Sequence, residues 1–83
     1  MVSKELLRDK VKQYAENHNI SEANAWRVFN YEYNEIFHSD LEVLKREHCR
    51  KYNIAFMGLP EFVEENGLLE EGIIAVSCML KHM

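Results

Sequence analysis

The sequence contains three glycines and one proline, and neither residue type occurs before Gly58. The first two thirds of the chain therefore lack the residues that tight strand turns need most, which excludes a hairpin-rich β architecture and leaves helices. Only two cysteines are present, Cys49 and Cys78, far apart and too few for a disulfide framework. Free thiols in a cytoplasmic setting are the expectation. No apolar run approaches the roughly 18 residues that a membrane helix requires, and no secretory apolar segment follows Met1. Cations are also scarce. Ten Lys and Arg stand against fourteen Asp and Glu, and the net charge of -4 argues against nucleic-acid binding by bulk charge. Eighty-three residues make one domain, 1–83, that buries only about 60 to 65% of its unfolded surface. That leaves little room for the site of a multistep enzyme.

What is abundant is apolar residues, 47% of the chain, recurring at helical spacing. A first helix is predicted from about Lys4 to Asn17, with Ser3 as N-cap and Leu7, Val11, Tyr14 and Ala15 on one face. Ser21 caps a second, running to about Phe37, in which Trp26, Phe29, Tyr33, Ile36 and Phe37 form the strongest apolar stripe. Breaks are expected at Asn17, Asn19, His38 with Ser39, and Asn53, because Asn tolerates a left-handed backbone. Ser39 followed by Glu42 has the form of a capping box and opens a third helix, with Leu41, Leu44, His48 and Tyr52 on its apolar side and Asn53 as C-cap. Residues 54–59 form an apolar connector, either loop or short strand. Pro60 then suits the first position of a short helix that Gly67 ends, with Phe62 and Val63 inward. Leu68 or Leu69 opens a last helix to about Lys81, so apolar that it is either central to the core or buried in a partner.

The fold class that follows is all-α, a compact bundle of four to five short helices. Trp26, Phe29 and Tyr33 are expected at the centre, with Leu7, Val11, Tyr14, Leu44, Phe62 and Ile73 packed on them.

Residues 15–28 resemble the helix-turn-helix of small DNA-binding proteins, with Ala15 at the tight helix contact, Asn19 in the turn, then Ile20, Ser21, Ala25 and Val28. The likeness covers about a quarter of the chain and departs from the pattern where Asn19 replaces the usual Gly. It implies that the second helix enters the major groove. Asn24, Arg27, Tyr31 and Asn34 share the side away from the aromatic stripe, and Asn and Arg read adenine and guanine edges. Lys4, Arg8 and Lys12, spaced by four, would be the phosphate contacts. Glu22, Glu32 and Glu35 on the same recognition helix oppose that role by repelling phosphates.

The largest feature of one sign is acidic: Glu61, Glu64, Glu65, Glu70 and Glu71, with Lys81 the only Lys or Arg beyond residue 58. Such a stretch is a solubilising face or the steering surface for a basic protein partner. Lys45, Arg46, Arg50 and Lys51 form the only basic cluster, readable as a phosphate or acidic-partner contact or as a solvated face with a Glu47–Lys51 pair. His48 or Cys49 with Cys78 and His82 has poor spacing for zinc, and no cofactor or metal is expected. No nucleophile elbow or phosphate loop is present, and His38, the one candidate base, sits where a helix end favours a cation. The reading is not an enzyme. Leu68, Leu69, Ile73, Ile74, Val76, Met79, Leu80 and Met83 supply either the chain's own core or a homodimer seam.

Two functions remain. One is a cytoplasmic, non-catalytic interaction module that blocks a basic partner surface; the chain resembles small acidic antitoxins, phage-borne inhibitors and other small proteins of bacterial mobile elements. The other is a helix-turn-helix transcriptional regulator.

Overall fold

The computed structural model describes residues 3–81. Its helices are α1 (Lys4–His18), α2 (Glu22–Phe37), α3 (Leu41–Lys51), α4 (Leu59–Glu65) and α5 (Leu69–Lys81). Among the described residues there is no strand, so the chain is all-α and residues 54–58 are loop. Among the described residues no helix is long and apolar enough to cross a membrane.

Local chemistry sets each boundary. Ser3 and Ser21 accept hydrogen bonds from the backbone N–H groups of Leu6 (3.1 Å) and Asn24 (3.2 Å), satisfying donors that the first turn leaves without partners. In a chain short of glycine, the left-handed residues that end helices are Asn19, His38 and Asn53, with Gly67 the one glycine so used. Beyond Asn19, Asn53 and Gly67 the next amide reaches back to a carbonyl of the last helical turn: Ile20 to Ala15 (3.0 Å), Ile54 to Cys49 (2.8 Å) and Leu68 to Val63 (2.9 Å). This is the Schellman arrangement.

Four boundary expectations change. Asn17 lies inside α1, since the left-handed turn falls at Asn19. Tyr52 caps α3 and Asn53 takes the left-handed position after it. Pro60 stands second in α4, because Gly58 is the N-cap and Leu59 the first residue. The N-cap of α3 is Asp40 and not Ser39: its carboxylate accepts from the amides of Glu42 (3.0 Å) and Val43 (3.3 Å). A carboxylate also complements the positive end of the helix dipole, which a Ser hydroxyl does not.

The core is built by α1, α2 and α5 packed on one another. Leu7, Val11 and Ala15 of α1, Ala25, Phe29 and Tyr33 of α2, and Ala75, Val76 and Met79 of α5 are all buried. The last helix is thus central to the chain's own core. Gly72 is buried in this contact, its α-carbon facing Leu7, Phe29 and Val63. From α4, Leu59, Phe62 and Val63 close one side.

The central position belongs to Phe29 and Tyr33, while Trp26 lies half-buried, edge-on to Phe29 at 5.3 Å. Tyr14 and Ile73 pack at the margin of the core. Leu44, expected inside, is 40% exposed; α3 touches the bundle at its start and buries only Leu41.

Candidate functional site

How α3 is attached determines what it leaves open. The Asn30 side chain on α2 donates to the Asp40 carboxylate (3.1 Å) and accepts the amide of Leu41 (2.9 Å), so one residue clamps both the cap and the first turn of α3. The Asn30 hydrogen bond is the main reason the Asp40 carboxyl lies below its ordinary pKa; the amides of Val43 and Glu42 and the Arg46 charge add to it and burial opposes it. Leu41 sits fully buried beneath the clamp. Besides α2, the helix packs against α4.

Between α3 and α4 lies an open groove of about 470 Å³, walled by Leu44, His48, Tyr52, Phe62 and Leu68, with Glu47, Lys51 and Asn66 on its polar side. His48 is its hub. The imidazole centroid is 4.8 Å from the Tyr52 ring and 5.5 Å from the Phe62 ring, which it meets edge-on. Its Nε2 is shielded from water and has no hydrogen-bond partner, an arrangement that costs the desolvation of a polar group without compensation. The ammonium of Lys51 lies 5.4 Å from the Tyr52 ring centre. Adjoining is a second open concavity of about 480 Å³ that shares His48, Tyr52 and Asn66 and adds Ile54 and Glu65.

The five acidic residues do not converge on one point. Glu64, Glu65 and Glu70 are exposed around the α4–α5 turn, and Glu65 reaches the His48 concavity. The Glu64 carboxylate stands 3.8 Å from Lys4. Glu61 borders a different groove, with Phe56, Trp26 and Lys45. Glu71 is half-buried with its Oε2 unpartnered, and it supports the burial of Tyr33 in holding that phenol above its ordinary pKa.

The helix-turn-helix residues stand differently. Ala15 and Ala25 are buried, Val28 is half-buried, and Asn19 makes the left-handed turn that a Gly usually supplies. Asn24, Arg27, Tyr31 and Asn34 are all exposed on α2. Of the three α1 cations read as phosphate contacts, Lys4 is taken up by Glu64. Arg8 and Lys12 line a small polar hollow beside Glu5, Asp9 and Glu22, so each cation has acidic neighbours.

Among the basic residues of α3, Lys45 pairs with Glu42 (3.3 Å), and Lys51 turns to Tyr52 where a Glu47 pair was expected. Arg46 and Arg50 are exposed. Cys49 and Cys78 are free and half-buried, and the described residues contain no cluster of three or more metal-binding side chains. His82 and Met83 lie outside the described residues. Of the apolar α5 side chains, Ile74 is the exposed one, at 49%.

Two features had only faint traces in the sequence. His48 and Tyr52 at a four-residue spacing mark one helix face, but nothing in the order of residues places Phe62 against them. Asn30 lies in the middle of a helix, and its role emerges only when the chain folds back on it. Compared with family models, curated proteins and solved structures, the chain has no significant match.

Proposed function

We propose that this protein is a non-catalytic interaction module that occupies a basic surface of a protein partner in the cytoplasm, in the manner of a small acidic inhibitor or antitoxin. One juxtaposition carries the reading. The exposed carboxylates of Glu64, Glu65 and Glu70 surround the α4–α5 turn, next to an apolar groove that α3 and α4 leave open. Carboxylates of one sign raise the association rate with a cationic partner, and apolar groove walls supply the short-range contact that charge alone does not. Lys81 is the only Lys or Arg in α4 and α5, and net charge favours the same partner.

The helix-turn-helix regulator is the second reading, favoured by the exposure of Asn24, Arg27, Tyr31 and Asn34 together on α2. Glu22, Glu32 and Glu35 on that helix weigh against it by repelling phosphates.

Anisotropy titrations of two labelled probes, an amphipathic Leu/Arg peptide and random duplex DNA, separate the two at several salt concentrations. The expected result is salt-sensitive peptide binding that Glu64→Gln, Glu65→Gln and Glu70→Gln together abolish and Arg27→Ala leaves intact. Steeply salt-dependent DNA binding without peptide binding would give the site to α2. Arg27→Ala would then cost about 1 to 3 kcal/mol of specific affinity.

A further inference from the structure

We propose that Asn66 is a site of self-modification, at which the backbone nitrogen of Gly67 attacks the side-chain amide when the α4–α5 turn opens and leaves a new carboxylate on the acidic turn. The chemical step stands on the chain alone, and its consequence for docking rests on the reading that the partner is basic.

The sequence singles out this asparagine. Of the seven asparagines, Asn66 alone precedes a glycine, the others being followed by His18, Ile20, Ala25, Tyr31, Glu35 and Ile54. Ring closure brings the nitrogen of the next residue against the side-chain Cγ, and a side chain on that residue obstructs the approach. Glycine has none, and its backbone turns more freely than that of any other residue. Position favours the same residue: Glu64, Glu65, Asn66 and Gly67 are all exposed, so water reaches the turn.

The step needs no co-reactant but water. The Gly67 nitrogen forms a bond to the Asn66 Cγ, the bond from Cγ to Nδ2 breaks, and ammonia leaves with the proton that the Gly67 amide carried. Water then opens the cyclic imide at either carbonyl. One product is an ordinary aspartate and the other an isoaspartate, in which the main chain runs through the former side chain. Either adds a negative charge between Glu65 and Glu70, in a chain whose net charge is already -4.

The fold decides when this happens. A ψ of 9° at Asn66 sets the Gly67 nitrogen alongside the Asn66 nitrogen and away from Cγ. Two hydrogen bonds keep it there: Asn66 Nδ2 donates to the Phe62 carbonyl (2.9 Å) and the Gly67 amide to that of Glu64 (3.2 Å). Both must break, and ψ must rotate, before nitrogen and carbon meet. The helix that ends here has only seven residues, too few to be stable by itself. Its exposed C-terminal turn therefore belongs to the low-stability end of the fold, where local opening costs least.

Peptide-mapping mass spectrometry of the full chain, incubated both folded and in urea, reads the replacement of NH by O at residue 66. Conversion is expected at Asn66 before any other asparagine, and about tenfold or more faster in urea than in the folded chain. Leu68→Ala, which strips from the turn a side chain packed against the core, should speed the folded reaction. Asn66→Gln, which would have to close a larger ring, should abolish it. Asn66→Asp, a stable copy of one product, should tighten binding of the Leu/Arg peptide about twofold. The modification site is overturned if Asn66 stays intact in the folded chain through an incubation many times longer than the chain in urea needs, or if another asparagine converts first. Equal rates in the folded and unfolded chains would overturn the gating. If Asn66 converts and Asn66→Asp leaves peptide affinity unchanged, the link to docking falls while the site stands. If no peptide binds at all, the basic-partner reading falls and the mass readout still decides the site.

Discussion

The two parts of this molecule use their side chains in opposite ways. The bundle of α1, α2 and α5 buries most of its apolar residues on its inner faces and leaves Leu6, Tyr31 and Ile74 exposed among polar neighbours. The α3–α4 end leaves Val43, Leu44, Tyr52 and Phe56 in solvent and a histidine nitrogen shut away without a partner. Monomeric proteins tolerate scattered exposed apolar side chains, whereas a buried polar atom without a partner calls for a specific explanation. Most of the buried core lies in the first part, while the buried polar atoms without a partner fall one in each, Glu71 Oε2 on α5 and His48 Nε2 on α3.

Phe29 gives the strongest test of that division. It is fully buried where α2 meets α5 and Trp26, and it contacts the space left by Gly72. Phe29→Ala should cost about 3 to 5 kcal/mol by creating a cavity in the buried cluster between α2 and α5. Against a total stability of about 5 to 15 kcal/mol, this removes a large fraction of the fold. Denaturant unfolding followed by circular dichroism measures it. A loss below about 1 kcal/mol would mean that the bundle is not the stabilising part.

The junction between the two parts is the next largest effect. Asp40→Ala removes the cap of α3 and half of the Asn30 clamp, and should cost about 1 kcal/mol at neutral pH. The folded pKa of Asp40 is lowered, so its contribution is complete above the ordinary carboxylate range and is lost as pH falls through the folded value. The stability gap between the parent and Asp40→Ala should therefore narrow below about pH 4. A gap independent of pH would show that the carboxylate charge is not what holds α3.

That junction also separates what was legible in the sequence from what was not. The bundle was readable because helical periodicity is local: Leu7, Val11, Phe29 and Tyr33 announce their faces by spacing alone. Ser3, Ser21, Asn19 and Gly67 likewise signal their turns within a few residues. Asp40 was overlooked because Ser39 with Glu42 satisfies a local pattern equally well. The choice is made by Asn30, ten residues away along the chain. The same local logic puts Leu44 inside, yet whether α3 finds a neighbour along its length depends on how it leaves α2. The acidic stretch was visible as composition, but its division among the turn, the Phe56 groove and the Tyr33 environment belongs to the tertiary fold.

Phe56 provides the smallest effect and the sharpest contrast with Phe29. It is 85% exposed in the loop before α4, so folding removes little of its surface from water. Phe56→Ser should change stability by no more than about 0.5 kcal/mol, as expected of a surface position without special backbone geometry. The same unfolding measurement that reports the loss at Phe29 reads this one. A cost above about 1 kcal/mol would show that the loop packs more tightly than its exposure indicates. A cost near zero leaves an exposed aromatic ring that contributes nothing to the fold, beside the half-buried Trp26 and the Glu61 carboxylate. The α3–α4 end would then carry apolar surface that the monomer does not use, as a docking surface requires and a solvated loop does not.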